Sequence, residues 1–467
     1  MSSSFENDFR SSATKLTADL RHRAFIRASL KGYEKNRDEK RARFQSWESA
    51  RQAAAETKWD AINHLDFYLS QFVDNLAKRG TKVFWAGTDE DARNYILNLA
   101  REKAARTIVK SKTMTSEEIH LNEALAKAGY EVVESDLGEY IVQLRGENPY
   151  HLVFPAMHLT RTEISDLFHQ KLGTPETDNP EELTMIARRQ MRMKYCQADM
   201  GISGANFAIA ETGMISITEN EGNARLTTSL PKVHVALLGI EKVLPKLSDL
   251  ALFLPMLATA GTGQALTGYN SLINGPRQAN EVDGPEEFHV VLLDNRRTQL
   301  LADVEQRDAL HCIRCGACLN VCPIFRNVGG QTYGTTYQGP IGSVITPHLR
   351  GLKDWKHLSS ASSLCGACSE ICPVKIELHH HLLHNRRNAA KLETGRLEQM
   401  AFGAFAFLVN HPKIFVMAAR IGQFLQPLHR FVAGSKIDPL LAWTRSREAP
   451  VIAKRVFGNT GNPGKDE

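Results

Sequence analysis

The sequence predicts an α/β domain built on a parallel sheet, then a compact cysteine-rich unit, with helical segments at both ends. Three observations predict it. Strand-like and helix-like segments alternate from about residue 81 to 295. Seven of the eight cysteines fall between Cys312 and Cys372. Apolar residues recur at three- and four-residue steps in the first 80 residues. At 467 residues, the chain has room for roughly two to four domains. Its composition, 42% hydrophobic and 23% charged, allows a core that needs no disulfide support.

Residues 1–80 read as a helical arm for packing or docking, with Trp47, Ala50, Ala54, Ala61, Leu65, Tyr68, Leu69 and Phe72 on its apolar stripe and no chemistry visible. KVFWAG (82–87) reads as a buried strand, followed by a helix over 89–106 capped by Thr88 or Asp89. Residues 107–112 are a strand. Residues 115–129 form a helix opened by a capping box of Thr115 and Glu118 and ended by Gly129. Further strands are expected at 130–136 and 151–156, and a helix at 180–198. Strands follow at 206–212, 214–220, 224–230, 232–240 and 286–295, with Gly213 and the Asn-Glu-Gly of 220–222 as turns. The α/β domain is therefore placed at 81–295. A long helix over 297–311 leads into the cysteine unit, 296–385. Residues 386–467 are helical again and disordered beyond about 456.

Net charge is +5 with the basic residues spread out, which argues against a nucleic-acid surface. The opening MSSSFENDFR has no apolar signal core, and no apolar run approaches the roughly 18–20 residues of a membrane span. The expectation is a cytoplasmic chain with reduced thiols and no transmembrane segment. Two apolar stretches, 400–409 and 413–425, must be covered by their own domain, a partner or a membrane surface. A partner ranks ahead of a membrane because nearby basic residues are few.

The first cysteine motif is Cys312-x2-Cys315-x2-Cys318-x3-Cys322-Pro323. Three thiolates at this spacing wrap three corners of an iron–sulfur cubane, and the cysteine before proline serves another cluster in two-cluster ferredoxins. Structural zinc instead pairs two separated Cys-x2-Cys knuckles. The second motif, Ser362-x2-Cys365-x2-Cys368-x3-Cys372-Pro373, repeats the first with serine in the leading position. The repeat implies a pseudo-twofold, ferredoxin-like pair of [4Fe–4S] clusters with exchanged ligands. Cluster one takes Cys312, Cys315, Cys318 and Cys372. Cluster two takes Cys322, Cys365 and Cys368 and lacks one thiolate. Its fourth position is open to Ser362, Cys196, water or a partner group, or to a three-iron [3Fe–4S] cluster. Cys196 reads first as a small buried apolar residue. The Gly- and aromatic-rich segment 329–343 is either a loop folded over a cluster or a plain surface loop.

Several stretches carry a resemblance: VKSKTMTSEEIHLNEAL, ESDLGEYIVQL, ADMGISGANFAIAETG, NEGNARLTTSLPKVHVALLGIEK, GGQTYGTTYQGPIG and both cysteine motifs. Across nearly the whole chain they resemble the lactate utilization protein B family, the iron–sulfur subunits of the three-protein L-lactate utilization system. The resemblance implies a NagB/RpiA/CoA-transferase-like fold for the α/β domain and a three-cysteine second motif. It also implies a role as electron-transfer subunit in a complex that oxidises L-lactate to pyruvate, with the other two lactate utilization subunits as partners. Localisation would be cytoplasmic, with the inner membrane face reached only through partners.

The alternative is a catalytic 2-hydroxy-acid oxidoreductase with substrate in its own α/β domain. Its candidate residues are Lys110, Lys112, Asp199, Glu211, Glu219, Glu221, Asn223 and Arg225. An arginine clamps a carboxylate and a buried carboxylate or lysine acts as base, although 219–225 also suits a tight turn. No strand-following G-x-G-x-x-G is present, and GTGQALTG (261–268) has the wrong spacing for a dinucleotide. Lactate gives up two electrons and a cubane takes one, so a flavin-bearing or other two-electron partner is expected.

Overall fold

The computed structural model describes residues 4–393, 395–433, 435, 437–438, 441–444 and 451–452. The chain forms two compact units, 1–389 and 390–467. In the first, ten strands build two sheets: β1 (Lys82–Ala86), β2 (Thr107–Lys110), β3 (Glu131–Glu134), β4 (Met200–Ser203), β5 (Phe207–Ile209), β6 (Met214–Glu219), β7 (Val233–Gly239), β8 (Val243–Leu244), β9 (Tyr269–Ile273) and β10 (Glu287–Leu293). The larger sheet runs β1-β10-β7-β4-β2-β3 and is parallel throughout. The smaller, β8-β5-β6-β9, is mixed. From β2 the chain steps outward to β3, then returns to β4 on the other side of β2. This reversal is the switch point of the sheet, where open α/β sheets bind ligands.

Both faces of the large sheet are covered, as a parallel sheet requires. Val235, Leu237, Val291 and Leu293 meet Ile96 and Leu125 of the helices Asp89–Glu102 and Leu121–Lys127. The alternate residues Ala236, Leu238, Val290 and Leu292 enter a second core. That core continues without a break through Ile26, Leu30 and Phe72 of the N-terminal helices and through Cys315, Cys318, Cys368 and Cys372. The helices of 1–80 are thus part of the core that carries the cysteines.

A buried ionic network joins these parts. The Arg297 guanidinium donates to both Glu118 oxygens, at 2.9 and 2.7 Å, and through Nε to Glu241 at 2.6 Å. Glu118 also accepts from Asn295 at 2.7 Å and from the Tyr337 hydroxyl at 2.6 Å. Burial opposes charge on Glu241, but Arg297 and Arg314 outweigh it and hold its carboxyl at about 2.

Several sequence expectations change here. β1 is an edge strand, half open, with Trp85 52% exposed. The expected helix 115–129 is two short helices, Met114–Glu118 and Leu121–Lys127, broken at His120, whose φ is +52°. Glu118 is no cap; burial against Arg297 claims it. Residues 151–156 form a loop, turned by the His151 ring, which accepts the N–H groups of Val153 and Phe154. Residues 224–230 are helical, not a strand: Ala224, Thr227 and Thr228 are buried at helical spacing, and the Glu219 carboxylate accepts the Ala224 and Arg225 N–H groups at the helix start. The helix over 297–311 is instead a helix, Arg297–Ala302, and a 3-10 turn, Arg307–His311, separated where Asp303 accepts the Glu305 N–H.

The second unit contains the helices Arg396–Asn410 and Pro412–Val432. On these helices Met400, Phe402, Phe405 and Phe424 are exposed. No single helix among the described residues is long and apolar enough to cross a membrane. The bent pair Glu398–Asn410 and Pro412–Pro427, at 109°, passes by length and composition. The expected disorder beyond 456 lies outside the described residues.

The network sets a stability test. Arg297→Met leaves Glu118 and Glu241 short of their main counter-charge. It is expected to cost ~3–5 kcal/mol, read as a lower urea midpoint. Glu118→Gln, which keeps an acceptor for Arg297 and Tyr337, is expected to cost less.

Candidate metal centre

The two cysteine motifs fold as one structure used twice. Arg314 and Leu364 take φ of +60° and +54°, and Gly316 and Gly366 take +80° and +81°. Each pair starts a short helix, Ala317–Val321 or Ala367–Ile371, that ends at Cys322 or Cys372. Left-handed conformations at non-glycine residues are strained and mark a loop shaped for a purpose. Backbone N–H groups point at the sulfurs: Arg314 to Cys312 Sγ at 3.4 Å, Phe325 to Cys322 Sγ at 3.5 Å, and Ile376 to Cys372 Sγ at 3.4 Å. In the second loop the Leu364 N–H donates to Ser362 Oγ at 3.2 Å. Ser362 therefore stands in the place that Cys312 holds in the first.

The loops also interlock. Cys312, Cys315, Cys318 and Cys372 line one small cavity, with Ile341, Val374 and Ile376 among its walls. Cys372 thus meets the first loop. Burial pushes the Cys368 thiol up to about 11, and Cys322 and Cys365 beside it push the same way. These three form the second group, and Cys365 is exposed where the first group is enclosed. Four thiols with backbone donors and no carboxylate or imidazole among the lining residues are a soft donor set that fits an iron–sulfur cluster. Binding must supply the cost of deprotonating buried thiols. The 329–343 segment folds inward: Tyr333 and Tyr337 are buried beside this region, and Gly339, at φ +66°, sits where a Cβ would strike Leu319.

Two cations from outside the motifs, Arg51 and Lys58, and one inside the first, Arg314, converge here. Arg51 donates to the Cys372 carbonyl at 2.9 Å. Lys58, fully buried, donates to the Glu241 carbonyl at 2.7 Å, and burial lowers its amine to about 7. Arg314 reaches Glu241 at 3.2 Å. Sequence reasoning passed over Arg51 and Lys58. The signal for Lys58 was its place on the buried stripe of Ala54 and Ala61.

A larger cavity, about 360 Å³, lies at the sheet's switch point. It is lined by Ser111, Lys112 and Thr113 just after β2, by Gly204, Ala205 and Asn206 just after β4, and by Arg314 and Cys315 of the first cysteine loop. Of the sequence candidates, Lys112, Glu219, Glu221 and Asn223 line it. The others are used elsewhere. Lys110 is buried against Ser116, Glu117 and Glu134 at 2.6–2.8 Å. Asp199 accepts the Arg106 and Thr107 N–H groups, and Glu211 accepts that of Leu247. Arg225 is exposed over the Tyr269 ring at 5.3 Å. Cys196, expected to be buried, is exposed on the helix Pro180–Gln197 in a cleft lined by none of the other cysteines. The 261–268 segment begins in the last turn of the helix Leu250–Thr262 and continues past its C-terminal end, the wrong pole for a dinucleotide phosphate.

Comparison with known proteins matches residues 69–293 to the LUD domain and residues 308–376 to the 4Fe-4S dicluster domain. The chain is 45% identical over 418 residues to lactate utilization protein B of Shouchella clausii, covering 88% of this chain and 87% of that one. It is 43% identical over 448 residues to the protein of the same name from Geobacillus sp., covering 93% and 94%. For that of Bacillus thuringiensis the figures are 44% over 419 residues, 88% and 88%.

The interlocked loops predict which substitutions act alike. In iron-loaded protein, Cys372→Ser is expected to alter the same electron paramagnetic resonance signal as Cys315→Ser. Cys322→Ser should group with Cys365→Ser. A Cys372→Ser spectrum that matches Cys365→Ser would refute the exchange.

Proposed function

Because this chain belongs to the lactate utilization protein B family, we propose that it is the iron–sulfur electron-transfer subunit of a complex that oxidises L-lactate to pyruvate. The observation that carries this reading is that Cys372 lines the cavity of the first loop while Cys322 lies beside Cys365 and Cys368, the exchange expected of two clusters side by side. Cys312, Cys315, Cys318 and Cys372 would hold one [4Fe–4S] cluster. Cys322, Cys365 and Cys368 would hold the second, with Ser362 Oγ at its fourth position or a three-iron [3Fe–4S] form in its place. Bound clusters supply one-electron chemistry.

The chain's own groups serve that role. Arg314, Lys58 and Lys242 set positive charge around Cys312, which favours the more negative state of whatever the loop holds. The exposed Cys365 puts the second site at a face open to a partner. The other two lactate utilization subunits are the partners expected, one of them bearing a flavin or another two-electron site. The complex would work in the cytoplasm or at the inner membrane face through those partners.

A second reading keeps catalysis in this chain, with a 2-hydroxy acid in the switch-point cavity; the cavity itself favours it. The two readings part on activity. Anaerobically prepared chain is expected to contain roughly eight iron and eight sulfide, or about seven iron in the three-iron form. It should not reduce a dye with lactate alone and should do so once the partner subunits are added. Dye reduction by the lone chain at the rate of the complex would transfer catalysis to the α/β domain.

A further inference from the structure

The switch-point cavity carries an electrostatic imbalance. Its three lining carboxylates are each satisfied by backbone. Asp136 accepts the Glu139 N–H at 3.0 Å, Glu219 accepts those of Ala224 and Arg225 at 2.6 and 2.9 Å, and Glu221 accepts that of Leu137 at 3.0 Å. Of its three cations, only Lys112 is. Lys112 donates to the Val153 carbonyl at 2.7 Å. Lys242, half-buried, has no hydrogen bond or ion pair among the described residues. The Arg314 side chain is 9% exposed; Nη2 reaches Glu241 at 3.2 Å, while Nε and Nη1 are buried without an acceptor. Buried charged donors without acceptors are costly. Nothing loosens the guanidinium to relieve this, because it lies over the Tyr337 ring at 4.5 Å.

The Arg314 guanidinium, with two buried nitrogens unbonded, and the half-buried Lys242 amine lie at the one place in the sheet where ligands are expected, and call for an anion. Lys242 and Arg314 both feel the Cys312 charge, but only Arg314 lines the four-cysteine cavity, whereas both line this one. The helix Leu250–Thr262 points its C-terminal, partly negative end this way, which disfavours a dianionic phosphate more than a monocarboxylate. About 360 Å³ is within the range of small-molecule sites.

We propose that this cavity binds a small monocarboxylate, held by Arg314 and Lys242, and that occupancy is felt at the Cys312–Cys315–Cys318–Cys372 centre. Arg314 and Cys315 line both cavities, so an anion that engages the Arg314 charge changes the field at those sulfurs. The coupling is reciprocal: the oxidation state of the centre changes affinity for the anion. The site rests on the iron–sulfur reading only for its spectroscopic signal, and binding can be measured without it.

The experiment uses the full, iron-loaded chain. L-lactate, pyruvate, acetate and inorganic phosphate are titrated separately by calorimetry and by electron paramagnetic resonance of the reduced protein. One carboxylate per chain is expected, with a saturable change in the signal that Cys315→Ser removes. Lys242→Gln should weaken binding by roughly tenfold, the loss of one charge-assisted hydrogen bond, at unchanged iron content. Arg314→Gln should abolish the spectral response, and normal iron content in that variant excludes misfolding as the cause. No carboxylate binding, equal binding to Lys242→Gln, or tighter binding of phosphate overturns the site. Lys242-dependent binding without a spectral change overturns the coupling. Lactate oxidation by the complex without carboxylate binding here sinks this site and leaves the electron-transfer reading standing; turnover by the lone chain does the reverse.

Discussion

Arg297 is the residue on which the rest of the architecture turns. Its guanidinium ties the helix after β2, through Glu118, to the 3-10 turn Ile240–Lys242 after β7, through Glu241. Glu241 in turn holds Arg314, inside the first cysteine loop, and Glu118 holds Tyr337, inside the glycine-rich segment. One buried charge therefore sets the register between the sheet and the cysteine unit. Such a network is expensive to bury and is stable only when every member is satisfied. Here nearly all members are, and the exceptions are Arg314 Nε and Nη1.

The cysteine array was the most legible part of the sequence, because ligand spacing is a local property and a repeat announces itself. The parallel sheet was legible too, from long apolar runs such as 232–240 and 286–295. What failed did so for tertiary reasons. Residues 224–230 alternate like a strand, yet Glu219 caps them into a helix. Thr115 and Glu118 read as a capping box, yet a partner 179 residues away claims Glu118. Among eight candidate polar residues, Lys112, Glu219, Glu221 and Asn223 reached the cavity. Lys242 and Arg314, the two that matter most to its charge, were invisible because their meaning depends on what they lack.

The N-terminal helices gained the most from the structure. Arg51 and Lys58 join the first 80 residues to Cys372 and to Glu241. The apolar stripe, read as one for packing or docking, packs: it is a wall of the core that carries the cysteines. Close approach is enforced elsewhere as well: a Cβ on Gly261 would stand 2.7 Å from the Cys315 carbonyl, so the helix Leu250–Thr262 rests directly on the first loop.

The interlocking of the loops has a consequence for biosynthesis. The enclosed cavity opened by Cys312 gains its fourth thiol only with Cys372, the last cysteine in the chain, and further walls with Val374 and Ile376 just behind it. A ribosome moving at ~5–20 residues per second needs roughly three to twelve seconds to cross that interval. During that time the nascent chain exposes three thiols, and then more, in a half-built nest. The first group lacks its fourth thiol until Cys372 has left the exit tunnel, whereas Cys322, Cys365 and Cys368 of the second all precede it. The four-thiol cavity is therefore complete only when translation has passed this region, after the three-thiol group.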